Sequence, residues 1–205
     1  MNPRVLFGRF QALLFDCDGT IANSMPTHLN AWNNILSKYG GTLTAADHDK
    51  YAGVPTPRIV ELLNESLGLQ MPVSSVTREK ELAYLDLIHT IQGVPDVIKT
   101  IEAFRGIIPM AVVSGSPRHS VVQTLTHLGL INDFQAILGS EDYQLGKPAP
   151  DGYANAAKQL RAKPQECVVF EDGELGIQAA IAAGMKWVRV IPDRGGFDLA
   201  ASDFR

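Results

Sequence analysis

The chain has 205 residues, enough for one large domain or one domain carrying a small insertion. Apolar residues make up 45% and charged residues 20%, which excludes a disordered chain, a coiled coil and a disulfide scaffold. Lys and Arg number 18 against 22 Asp and Glu, a net charge of −4 with no basic stripe, so nucleic acid is excluded as a partner.

Residues 2–10 hold no sustained apolar stretch and no small-residue cleavage site, so no signal peptide is expected. No apolar run approaches the ~20 residues of a membrane helix, and no membrane role is expected. Gln11–Asp16 is a short apolar run ending abruptly in charge, the pattern of a buried strand with a site at its carboxyl end. Residues 24–91 then read as helices only: Ser24–Tyr39, Thr44–Tyr51, Pro57–Leu67 and Ser75–Ile91. Met25, Leu29, Trp32, Leu36 and Tyr39 recur at spacings of three and four, and Thr44 with Asp47 forms a capping-box pattern. Strand and helix alternate from there on. Strands are expected at Pro109–Ser114, Ala136–Gly139, Cys167–Glu171 and Lys186–Ile191. Helices are expected at Pro95–Phe104, Arg118–Leu128, Asp151–Leu160 and Leu175–Ala183. This alternation predicts an α/β fold, a Rossmann-like parallel sheet core of residues 1–22 and 93–205 with a four-helix domain, 23–92, inserted after the first strand. The chain crosses between the two parts near Ile21–Ser24 and Gln92–Pro95, where Gly93 and Pro95 suit a hinge. Cys17 and Cys167 lie far apart inside apparent strands and read as packed thiols of a cytoplasmic protein.

Ligands of an open parallel sheet bind outside the carboxyl ends of its strands. The first strand ends Asp16-Cys17-Asp18-Gly19-Thr20, the second Ser114-Gly115-Ser116, and the fourth Glu171-Asp172-Gly173; Gly146-Lys147-Pro148 follows the third. Carboxylates from two strands make an all-oxygen site suited to Mg²⁺. One of them can act as a nucleophile, and a second carboxyl two residues on can move protons. Ser114 and Lys147 can neutralise phosphoryl oxygens. The set describes phosphoryl transfer. A dinucleotide site fails because no Gly-x-Gly-x-x-Gly follows the first strand, and an EF-hand fails because Gly19 follows Asp18 directly.

Asp16-x-Asp18-Gly19-Thr20, Ser114, Lys147 in Gly-Lys-Pro-Ala-Pro-Asp, and Glu171-Asp172 resemble, in order, the four motifs of the haloacid dehalogenase superfamily. The helical insert resembles that superfamily's cap. Ser24-x-Pro26-x-His28-x-x-Ala31-Trp32 and Gly53-Val54-Pro55-Thr56-x-Arg58 resemble the branch of beta-phosphoglucomutase and small sugar-phosphate phosphatases. The resemblance implies Asp16 as nucleophile and metal ligand, and Asp18 as general acid/base with its carbonyl on the metal. Ser114, Gly115 and Lys147 would hold the phosphoryl group, and Asp172, with Glu171, the Mg²⁺. His28, Trp32 and Arg58 would meet the substrate from the cap, which closes over the site. The implied enzyme is a cytoplasmic phosphatase of a small phosphorylated metabolite such as a sugar phosphate, working through an aspartyl-phosphate, as a monomer or weak oligomer.

The alternative is a phosphomutase. Beta-phosphoglucomutases carry a lysine before the cap glycine and an arginine three residues after it, where this chain has Ala52 and Thr56. A phosphonatase is disfavoured because no cap lysine is evident for a Schiff base. Asn23 and Met25 stand where such enzymes often carry acids. His48 reads as structural or solvated, and Glu79-Lys80-Glu81 as an exposed helix face.

Overall fold

A computed structural model describes residues 2–51 and 53–204. Helix α1 (Pro3–Phe7) precedes strand β1 (Ala12–Phe15). Helices α2 (Met25–Leu36), α3 (Ala45–His48), α4 (Thr56–Leu67) and α5 (Val73–Leu87) follow. The remainder is α6 (Pro95–Phe104), β2 (Met110–Val113), α7 (Arg118–His127), β3 (Ala136–Leu138), α8 (Asp151–Gln159), β4 (Cys167–Glu171), α9 (Glu174–Ala182), β5 (Lys186–Ile191) and β6 (Gly196–Asp203).

The sheet runs β3-β2-β1-β4-β5-β6. Its first five strands are parallel, and β6 adds an antiparallel edge on β5. Successive residues of a strand face opposite sides, and the apolar contacts divide accordingly. Leu13 and Phe15 join Val112, Phe170 and the α6 residues Val97, Ile101 and Phe104 on one face. Ala12 and Leu14 join Val113, Val169, Tyr153 of α8 and Ala180 of α9 on the other. Helices cover both faces of β1 and β4, which is why these strands are apolar throughout.

Two elements lie outside the expected set, α1 and β6. The first is a single five-residue turn, too short to show a period, although Asn2 caps it and Pro3 opens it. In β6 only Phe197 and Leu199 mark an alternation before the strand turns polar. Cys17 lies beyond β1 rather than within it; both thiols are free and buried.

Helices α2, α4 and the start of α5 bury their own cluster, built on Trp32, Ile35, Leu36, Ile59, Leu63 and Val76. Chain entry and exit pair as strands: the Asn23 amide donates to the Gln92 carbonyl at 2.8 Å, and the Val94 amide to Ile21 at 2.9 Å. The insert thus hangs on two adjacent backbone segments beside the carboxyl end of β1. Among the described residues, no helix is long and apolar enough to cross a membrane.

Candidate active site

Strand order reverses between β1 and β4, the point where parallel sheets open a crevice. Asp16 ends the first strand's run, and Glu171 and Asp172 end the second. Carboxylate oxygens from these three residues lie within 4.8 Å of one another. Lys147 reaches across from the loop before α8 and donates to both Asp16 and Glu171. The Tyr153 hydroxyl donates to Glu171 Oε1 at 2.8 Å, and the Gly173 amide to Oε2 at 3.1 Å. Glu171 therefore has both oxygens engaged by the protein and anchors the lysine. Thr20 Oγ1 donates to Asp172 Oδ1 at 3.1 Å. Gly19 is indispensable here: its φ is +89°, and a Cβ would lie 2.1 Å from Asp172 Oδ2.

Burial and the neighbouring Glu171 and Asp172 raise the Asp16 carboxyl well above its usual range, against the pull of Lys147. Burial, followed by Glu171, pushes Asp172 up to about 7. Burial opposes the charge on Lys147, but Asp16 and Glu171 outweigh it and hold the ammonium protonated. One lysine thus faces three carboxyls. A crowded, buried, all-oxygen set of this kind fits Mg²⁺, whose charge would settle the excess.

Asp18 is tuned the other way. Its Oδ1 accepts from Ser24 Oγ at 2.7 Å and His28 Nε2 at 2.9 Å; its Oδ2 accepts from Ser116 Oγ at 2.8 Å and Ser114 Oγ at 3.2 Å. Burial opposes the charge, but His28 and these hydroxyls more than offset it and hold the carboxyl below its usual range. Ser24 stands at the N-cap of α2 yet gives its hydroxyl to Asp18 rather than to the helix.

A cleft opens above this floor, lined by Asp16, Asp18, Ser114 and Gly115 below and by His28, Trp32, Thr56 and Lys80 above. His28 and Trp32 both line it, and His28 also serves Asp18 directly. Its ring stacks on Tyr84 with centroids 4.1 Å apart, and Lys80 Nζ donates to its Nδ1 at 2.9 Å. Arg58 is not brought to the cleft. Its guanidinium pairs with Glu61 at 2.7 Å and its side chain is 52% exposed. Thr56 faces inward, and a residue two positions along a helix points the opposite way. Ala52 lies outside the described residues.

Lys80 and Glu81 correct the expectation of an exposed face, with 2% and 5% exposure. Lys80 donates to Glu81 Oε1 at 3.1 Å; Glu81 also accepts from Thr56 at 2.7 Å and from Ser120 of α7 at 2.8 Å. The insert therefore does hold a lysine at the cleft, although it is committed to His28 and Glu81. The legible signal was the spacing Val76, Lys80, Tyr84, which places the lysine on the buried stripe of α5. His48, read as structural or solvated, is buried and lines the cleft.

A family model described as a haloacid dehalogenase-like hydrolase matches residues 10–184. The fructose-1-phosphate phosphatase YqaB of Escherichia coli is 36% identical over 186 residues, covering 90% of this chain and 98% of that protein. A phosphorylated carbohydrates phosphatase of Thermotoga maritima is 27% identical, covering 86% of this chain and 82% of its own. Among solved structures, a beta-phosphoglucomutase from Clostridium difficile superposes with a TM-score of 0.81 at 24% identity, over 88% of this chain and 84% of its own.

Proposed function

Because this chain belongs to the haloacid dehalogenase-like hydrolase family, we propose that it is a Mg²⁺-dependent phosphatase that hydrolyses a sugar monophosphate through an aspartyl-phosphate on Asp16. The observation that carries this reading is the contact of Lys147 with Asp16, within reach of Asp172 and two residues from a separately tuned Asp18. The relatives named as fructose-1-phosphate and phosphorylated carbohydrates phosphatases support the substrate class.

An oxygen of Asp16 attacks phosphorus, the bond from phosphorus to the sugar oxygen breaks, and that oxygen takes a proton from Asp18. Asp18 starts as a carboxylate. It takes a proton from solvent water when the phosphate dianion arrives beside it, because a nearby negative charge raises the proton affinity of a carboxyl. Water then attacks the phosphorus of the aspartyl-phosphate and gives its proton back to Asp18. The bond to Asp16 breaks and inorganic phosphate leaves. Ser114, the Gly115 backbone and Lys147 hold the transferring oxygens, and Glu171 and Tyr153 hold Lys147 in place. Asp16 and Asp172 would hold Mg²⁺, which supplies positive charge against the carboxylates and the phosphoryl group.

Hydrolysis is favoured over a mutase by the roof of the cleft. A mutase needs a cationic grip for a second phosphate. Arg58 points away, and Lys80 is neutralised by Glu81. Phosphate release from fructose 1-phosphate and other sugar phosphates tests the reading. Turnover should require Mg²⁺ and stop on chelation. Full turnover after exhaustive chelation, or no sugar monophosphate accepted at all, would overturn it.

A further inference from the structure

Two cavities meet at the end of α3. One is the cleft above Asp16; the other lies outside it and is bounded by Asn23, Leu29, Asp49, Asp172 and Asp193. Met25 and His48 line both and form the wall between them. His48 is 5% exposed. Its ring lies 6.5 Å from that of His28.

Three other polar groups of the cleft's roof are spoken for. Thr56 donates to Glu81, Lys80 bonds His28 and Glu81, and His28 serves Asp18. Among the described residues, the His48 ring has no hydrogen-bond partner. Burial, with the nearby His28 and Lys80, pushes its pKa down to about 4. The ring is therefore neutral near pH 7, with one N–H donor and one bare nitrogen acceptor. A hydroxyl, itself donor and acceptor, matches that pair. A carboxylate or a second phosphate accepts only and calls for fixed cations, which this roof does not offer. The ring borders open space and has no partner among the described residues, so its place at this wall points to a ligand hydroxyl that completes it.

We infer that His48 is a specificity-determining residue, which hydrogen-bonds a hydroxyl of the substrate's uncharged sugar moiety and so selects polyol phosphates over phosphate esters lacking hydroxyls. This rests on the phosphatase reading above. It assigns the residue no part in bond breaking.

The test uses the full chain with Mg²⁺ and two substrates, fructose 1-phosphate and p-nitrophenyl phosphate, whose leaving group has no sugar hydroxyls. In His48→Leu, the ratio of kcat/KM for the sugar phosphate to that for the aryl phosphate should fall at least about tenfold, as loss of a matched hydrogen bond requires. His48→Gln, which keeps a donor and an acceptor, should recover most of the ratio. Parallel losses on both substrates, an unchanged ratio, or no recovery with glutamine would overturn the assignment. A wild-type chain inactive on both would instead overturn the phosphatase reading itself.

Discussion

Asp18 and Asp172 lie on the same rim and are tuned in opposite directions. Donors crowd Asp18 and favour its charge; burial and Glu171 disfavour the charge on Asp172. The second shift has a consequence for stability. Asp172 titrates near 3.8 when unfolded and at about 7 when folded, so the folded state holds the proton more tightly between those values. The contribution of this group to stability therefore falls as pH rises through that window. In chelator, the melting temperature of the wild type should drop relative to Asp172→Asn between about pH 4 and about pH 7, and Mg²⁺ should restore the wild type at the upper end. Parallel melting temperatures for the two proteins across the window would contradict this. At this scale the sequence was legible wherever a strand ended in charge: Asp16, Asp18, Ser114, Lys147, Glu171 and Asp172 converge on one rim. It was least legible in the insert. A lysine and a glutamate on a helix read as solvated, but Lys80 is buried against His28 and Trp32 of α2, and Glu81 against Ser120 of α7. Arg58 misled because a motif counts residues while a helix turns through about 100° per residue.

Between elements, α5 and α7 meet in a register of two. Glu81 accepts from Ser120, and Tyr84 shares a 2.8 Å hydrogen bond with Thr124. The spacings, three residues on α5 and four on α7, bring both pairs to one helix face. These bonds tie the insert to the core beside the cleft. Ser120→Ala leaves the buried Glu81 carboxylate short of a donor and should cost about 1.5–3 kcal/mol in chemical denaturation. It should also speed amide exchange in residues 23–92. A variant as stable as wild type with unchanged exchange would show that this junction holds nothing. The strands and most helices were legible from apolar period and punctuation, since both faces of β1 and β4 are covered. Strand β6 was not, because an edge strand that solvates one side needs only Phe197 and Leu199 to seat it.

For the whole molecule, the helices that follow β1 rest against the core beside the cleft. The backbone of Gly53 in the insert meets that of Gly115 in the core so closely that a Cβ on Gly115 would lie 2.5 Å from the Gly53 carbonyl oxygen. Asp16 beneath it is buried, 4% exposed. The run of helices α2–α5 was legible, because it interrupts the strand–helix alternation after the first strand. The contact of Gly53 with Gly115 was not, since no local pattern encodes contacts between residues some 60 apart. The central claim is that Asp16 carries the phosphoryl group. Rapid quench of the enzyme with fructose 1-phosphate and Mg²⁺, followed by peptide mass spectrometry, tests it most directly. The account predicts one phosphoryl group per chain on the peptide holding Asp16, with Asp16→Asn yielding neither phosphopeptide nor turnover. Turnover retained by Asp16→Asn, or a phosphoryl group on any other residue, would contradict it.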